Sequence, residues 1–105
     1  MTNGTRRQHK RFGMEMPVVL IATAYGTTTI SSGRTSDMSE GGMAVVTAAT
    51  FQENQDISIE FKPPLESLLI KMRATVRHQA HNLYGLQFQS ASEQQLAQLR
   101  RLMMN

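Results

Sequence analysis

The chain reads as an all-β domain, a barrel or a sandwich, ending in one helix. Two observations predict this: about six short strand-patterned stretches divided by turn residues, and a last segment where the apolar spacing changes from two to helical. At 105 residues it is one domain, and 40% hydrophobic with 18% charged content is ordinary for a globular core. There is no cysteine, which excludes disulfides, thiolate zinc sites and cysteine nucleophiles together. No apolar run approaches the roughly 20 residues of a membrane span, and no signal peptide is visible. A cytoplasmic domain without direct membrane insertion is the expectation, either free-standing or cut from a larger protein.

Residues 1–13 lack apolar periodicity and read as a flexible basic arm, leaving 14–105 as the folded body. Pro17 opens the β-branched run Val18–Tyr25, short enough to be a strand partly covered on both faces. Gly26 marks a turn. Thr27–Ile30 and Arg34–Met38 continue as strand, with Ser31-Ser32-Gly33 as an interruption or bulge. Met43–Thr47 is another strand. After the turn Asn54-Gln55-Asp56, Ile57, Ile59 and Phe61 face one way while Ser58, Glu60 and Lys62 face the other.

Pro63-Pro64 stops that strand. Ile70, Met72, Ala74 and Val76 then point inward, with Lys71, Arg73, Thr75 and Arg77 outward. His78–Leu83 is polar and turn-like, and Tyr84, Leu86 and Phe88 begin a final alternation, with Tyr84 and Phe88 assigned to the core. Two overlapping capping boxes, Ser90-Ala91-Ser92-Glu93 and Ser92-Glu93-Gln94-Gln95, start a helix at about 92–104. Leu96, Leu99, Leu102 and Met103 share one of its faces, suited to a barrel mouth or a partner.

The net charge is only +3, but its placement is uneven. Arg6, Arg7, Lys10 and Arg11 cluster in the arm, and the first acid is Glu15. Such a cluster points to an anionic partner: nucleotide, nucleic acid or lipid headgroup. Arg7 and Arg11 would lie roughly 13 Å apart in an extended chain, but about 6 Å apart on one side of a turn. A turn therefore lets two guanidinium forks converge, and that fork fits both phosphate oxygens and the O6/N7 edge of guanine.

The stretch Asp37-Met38-Ser39-Glu40-Gly41-Gly42 supplies complementary chemistry. An ionised Asp37 only accepts hydrogen bonds and suits the N–H edge of guanine, while Ser39 can donate and accept. Gly41 and Gly42 permit positive φ and close approach of a ligand to the backbone. Each stretch alone is weak: an Arg-x-x-x-Arg spacing is common, and an Asp/Ser turn between strands is ordinary.

Taken together, Arg7-x-x-x-Arg11 followed some 25 residues on by Asp37-x-Ser39-x-x-Gly42 resembles the paired signature of the PilZ domain. The Met72–Arg77 strand and Tyr84-Gly85-Leu86-Gln87-Phe88 are also similar to that family, and the likeness spans nearly the whole chain. The resemblance implies a six-stranded antiparallel β-barrel with a C-terminal helix that binds cyclic di-GMP. It implies that Arg7 and Arg11 grip phosphate and guanine edges, that Asp37 and Ser39 hydrogen-bond a guanine, and that Gly42 shapes the turn. Arg6 fills the position before the arginine motif, which in the family tends to accompany a stacked ligand dimer, so two ligands per site are implied.

No catalytic role, metal or cofactor is assigned. His78 and His81 are three apart but lack a third ligand nearby, His9 adds at most pH-dependent charge to the arm, and Ser39 sits in no nucleophile-elbow motif. Lys71, Arg73 and Arg77 form a solvated strand face that could contribute supplementary ligand contacts. The eight methionines read as core filler, with Met103 and Met104 able to stick to a partner or a second copy in a homodimer. The reading is thus a non-enzymatic cyclic di-GMP receptor relaying to a downstream protein partner or fused effector. Its rivals are a protein-interaction adaptor with a vestigial site and a basic barrel binding single-stranded nucleic acid. The latter is disfavoured by an aromatic content of 6% and no Trp for base stacking.

Overall fold

The computed structural model describes residues 12–63 and 69–103. Six strands, β1 (Phe12–Ala24), β2 (Thr27–Met38), β3 (Gly42–Thr47), β4 (Asp56–Phe61), β5 (Ile70–Ala80) and β6 (Leu83–Phe88), precede helix α1 (Glu93–Met103). All pairings are antiparallel, and the sheet closes on itself in the order β1-β2-β3-β6-β5-β4. The all-β class, the closed six-stranded barrel and the terminal helix are those the sequence predicts.

The period-two alternation decides which side chains fill the barrel. Val18, Leu20 and Ala22 point inward from β1, Ile57, Ile59 and Phe61 from β4, and Ile70, Met72, Ala74 and Val76 from β5, all nearly inaccessible. Met16, Met38, Met43 and Met72 are also buried, the flexible thioether filling gaps that branched side chains leave. Leu99, Leu102 and Met103 of α1 join this core. Met103 is therefore not a surface contact; Met104 lies outside the described residues.

Strand ends differ from the sequence expectation at three places. β1 starts at Phe12, and Pro17 lies inside it opposite Arg34 rather than opening it. Proline is accommodated because, among the described residues, β1 pairs with β4 only over Val19–Ile21, so Pro17 lies where β1 has a free edge that needs no ladder amide. β2 runs unbroken through Ser31-Ser32-Gly33, and its irregularity falls between Thr35 and Asp37. β5 extends to Ala80, leaving His81-Asn82 as the hairpin loop, with His81 at φ 58°.

The β1–β2 hairpin turns on Tyr25-Gly26 with φ of 53° and 77°, the two positive values that a tight I′ loop requires. Of the two candidate capping boxes, Ser92–Gln95 forms. The Gln95 amide donates to Ser92 Oγ at 3.1 Å and the Ser92 amide donates to Gln95 Oε1 at 2.7 Å. Gln95 Nε2 also donates to the Lys71 carbonyl at 2.6 Å, which fixes the start of α1 on β5.

Tyr84, 2% exposed, ties loop to barrel. Its hydroxyl accepts from the Phe51 amide and from Gln79 Nε2, each at 3.1 Å, and its ring meets Phe51 edge-on at 5.4 Å. Tyr84→Phe keeps the ring but strands the Phe51 amide, so it is expected to lower stability by about 1–3 kcal/mol. Chemical denaturation of the two proteins measures this, and an unchanged midpoint would show the hydroxyl to be idle.

Candidate functional site

One end of the barrel carries a cleft of about 1010 Å³ between the β2–β3 turn, the β5–β6 wall and the face of α1. Its volume is at the top of the roughly 300–1,000 Å³ found for small-molecule pockets. Asp37, Ser39, Glu40, Gly41 and Gly42 line one side, Arg77, His78, Gly85 and Gln87 the other, with Leu96 and Arg100 reaching in from α1. Asp37, Ser39 and Gly42, all named from sequence, thus share one cavity. Arg6, Arg7 and Arg11 lie outside the described residues.

Three irregularities of register surround this end. Ser36 is the extra residue between Thr35 and Asp37 where β2 meets β3, and Met14-Glu15 oppose that same residue across from β1. Arg77 is the extra residue of β5 between Val76 and His78. Bulges bend a strand and re-aim the next side chain, and here they bring Asp37 and Arg77 to the rim. Thr35 Oγ1 donates to the Asp37 carbonyl at 3.1 Å and steadies the first of them.

The turn beyond Asp37 is closed by its own backbone. The Ser39 amide donates to the Gly42 carbonyl at 2.8 Å, and the Phe88 amide donates to the Gly41 carbonyl at 2.9 Å, seating the turn on β6. Ser39, 2% exposed, accepts at Oγ from the Gly41 amide at 3.1 Å and donates to the Gly42 carbonyl at 3.5 Å. Its hydroxyl is used within the turn here. Gly42 is required by close approach, although not in the manner expected. Its φ is not left-handed, and a Cβ would lie 2.0 Å from the Leu86 carbonyl oxygen, so the crowding neighbour is a strand.

The far wall holds Arg77, which the sequence offered only as a supplementary contact, and residues it did not assign to a ligand. Arg77 donates through Nε to Gln87 Oε1 and through Nη1 to Asn54 Oδ1, both at 2.7 Å, so neutral oxygens position its guanidinium. The His78 ring lies over Gly85, 3.1 Å from where a Cβ would stand. Arg100 of α1 donates to Glu40 Oε2 at 3.1 Å, joining helix to turn. That hydrogen bond, with the attraction of Glu40 behind it, raises the Arg100 pKa, so the guanidinium stays charged. An acid in the turn and a cation late in a helix of opposite-signed need were visible in the sequence, but nothing in it set them side by side.

Among the described residues no group of three or more His, Cys, Asp or Glu could hold a metal ion. Nor is any described helix long and apolar enough to cross a membrane.

A sequence model of the PilZ domain matches residues 5–105, nearly the full chain. The chain belongs to the PilZ family. Solved structures agree in fold. The PilZ domain of CeSA from a cellulose-synthesizing bacterium superposes with a TM-score of 0.71 at 23% identity, covering 90% of this chain and 95% of that one. The PilZ domain of YcgR from Escherichia coli, solved with c-di-GMP, gives 0.73 at 17% identity over 95% and 90%. The Bacillus subtilis inhibitor of motility, MotI/DgrA, gives 0.73 at 19% identity, covering 99% of this chain and 51% of that one. A comparison with curated proteins gave no match.

Within this PilZ domain the turn should be intolerant of change. Gly42→Ala drives a methyl into main chain that cannot yield, so it is expected to lose stability at or above the upper end of about 1–3 kcal/mol for overpacking. Ser39→Ala leaves the Gly41 amide without its acceptor and should cost about 1–3 kcal/mol. Thermal unfolding checks both, and a wild-type midpoint for Gly42→Ala would refute the crowding argument.

Proposed function

We propose that this PilZ domain is a non-enzymatic receptor for cyclic di-GMP, holding the ligand between the Arg7/Arg11 arm and the Asp37–Gly42 turn. Family membership supports the ligand class, and a PilZ domain of the same fold, that of YcgR, was solved with it. The observation that carries the reading is a strand register. Gly13 pairs with Asp37, and Phe12 with Met38, so β1 emerges beside the cleft. Arg11 is joined to that strand by one peptide bond. Chain length alone holds its Cα within about 7 Å of Gly13, and that of Arg7 within about 21 Å. This tether supports a site in which both forks reach the turn.

The roles follow from the chemistry. Arg7 and Arg11 supply bidentate donors to phosphate and to guanine O6/N7. Asp37, at the rim, accepts from the guanine N–H edge. Ser39 and Gly42 hold the turn in shape, and Ser39 can exchange its carbonyl contact for the ligand. Arg6 adds a third cation, suited to a second, stacked ligand. Arg77, held by uncharged partners, adds positive potential to the opposite wall.

The relay to a downstream protein or fused effector runs through both ends of the chain. Ordering the arm changes the surface next to β1, and the Glu40–Arg100 pair gives the occupied turn a grip on α1. A nucleic-acid platform is less well supported. Tyr84, Phe51 and Phe61 are buried in the barrel, and the exposed Tyr25 lies at the hairpin tip. Of the described aromatics Phe88 alone lines the cleft, half-buried against the core and not wholly inside it as its alternation predicts.

Arg7→Ala and Arg11→Ala are each expected to weaken cyclic di-GMP binding by about 2–5 kcal/mol, as for truncation of a hydrogen-bonded charge partner. Added salt should weaken the wild type as well. Calorimetric titration with cyclic di-GMP, GMP and an oligonucleotide tests this together with stoichiometry. Near-wild-type affinity in both variants would remove the arm from the site, and tighter binding of the oligonucleotide would sink the reading. For the relay, ligand should change amide exchange in α1 of the wild type, and Arg100→Ala should abolish that change while binding persists. An identical response in the variant would exclude the Glu40 link.

A further inference from the structure

The end of the barrel opposite the cleft carries a feature that ligand binding leaves unexplained. Beyond Val19–Ile21, where β1 pairs with β4, and before Gly33, where pairing of β2 with β3 begins, the β1–β2 hairpin continues as a two-stranded ribbon. Among the described residues, Thr27–Ser31 is paired with β1 on one side only. Such an edge is a template for another strand, and proteins normally guard it with charge, proline, a bulge or a covering loop.

Among the described residues this ribbon has none of those guards. No charged residue occurs between Glu15 and Arg34, whereas the outward faces of β4 and β5 carry Glu60, Lys71, Arg73 and Arg77. The edge itself is Thr27-Thr28-Thr29-Ile30-Ser31, β-branched and neutral, and its pairing with β1 is regular from Val18↔Gly33 to Ala24↔Thr27. Ile30 is 69% exposed although it sits in a cross-strand pair with Ile21. The tip is equally unusual. Tyr25 takes the left-handed conformation that bulky residues disfavour, and its side chain is fully exposed at 105%, so no contact among the described residues offsets the strain.

We propose that this edge is a homodimer interface, in which β2 of a second copy adds antiparallel along Thr27–Ser31. Charge selects a second copy over another occupant. Under a twofold axis the edge pairs with an identical edge, so an edge of like charges would repel itself while this neutral one is self-complementary. Keeping inward and outward faces matched requires the axis to pass through a residue and not between two. An axis at Thr29 pairs Thr27 with Ser31 and Thr28 with Ile30 of the second copy, favourable Thr–Ser and β-branched pairs. It also carries the Tyr25 tip past Ser31 of the second copy, to where β3 takes over the edge. The tip stands about ten residues, or roughly 33 Å along β2, from Asp37, so dimerisation leaves the cleft open.

Because the chain has no cysteine, Thr29→Cys introduces a single thiol. Mild oxidation of the full chain should trap a covalent dimer through Thr29→Cys and leave Gln52→Cys, on an exposed loop, monomeric. Sedimentation velocity should show a concentration-dependent dimer for the wild type. Thr29→Lys and, separately, Ile30→Lys should each raise its dissociation constant by about tenfold or more, since like charges then meet directly across the axis at residue 29 and diagonally, roughly 7–8 Å apart, at residue 30. Tyr25→Asn should raise the thermal midpoint, measured at concentrations where the protein is monomeric, while weakening the dimer. Circular dichroism establishes that each variant folds. A wild-type monomer at every concentration, or a dimer untouched by both lysine variants, would overturn the proposal. Cross-linking equal in Thr29→Cys and Gln52→Cys would do so as well.

Discussion

The closeness of the Gly42 backbone to the Leu86 carbonyl constrains the rest of this barrel. With no side chain at residue 42, β3 lies hard against β6, and the turn before it can dock its Gly41 carbonyl on the Phe88 amide. That docking sets where Asp37 and Ser39 stand relative to the β5–β6 wall, and so the width of the cleft. The turn's shape is a consequence of how two strands meet. Any ligand it accepts must fit a geometry already fixed by packing, which is the preorganised case in which little binding energy is lost to ordering.

Regular and irregular pairing are divided between the two ends of the barrel. Toward the hairpin tip, β1 and β2 pair residue for residue. At the cleft, one extra residue in each of β1, β2 and β5 breaks the ladder. A barrel closed by uniform ladders would turn its side chains alternately in and out everywhere, leaving no concentration of polar groups at one rim. The bulges concentrate them, and α1 then covers the mouth with Leu99 and Leu102 while leaving Arg100 facing Glu40.

How much of this was legible in sequence depended on the range of the interaction. The alternations of Ile57–Phe61 and Ile70–Val76 located β4 and β5 because one buried face imposes period two locally. The helix start was legible for the same reason, a capping box being complete within four residues. Pro17 misled, because whether a proline opens a strand or sits inside one depends on what pairs beside it. The Ser31-Ser32-Gly33 break was misplaced on similar grounds, since polar residues look like interruption whereas the true bulge at Ser36 is set by two neighbouring strands. Asp37, Ser39 and Gly42 were found as a motif, yet the reason for Gly42 lay 44 residues away in Leu86. Arg100 and Glu40, 60 apart, left no local trace at all.

That separation also explains why the site and the ribbon can coexist in one long strand. β2 contributes Asp37 at one end and an unguarded Thr-rich edge at the other, with Gly33 between them. At Gly33 a Cβ would approach Val45 Cγ1 at 2.8 Å and the Val46 carbonyl at 2.9 Å, so the backbones of β2 and β3 are again in close contact where their pairing begins. On the cleft side of that point β2 is built into the barrel and its polar groups are committed to shape. On the tip side, among the described residues, it is paired with β1 alone, and its edge groups must be satisfied by water or by another strand. The first half is suited to rigidity, because a preformed turn would bind a ligand without reordering. The second half is left with an open edge, the one on which the proposed second copy would add. One strand can serve both ends because the barrel wall stops partway along it.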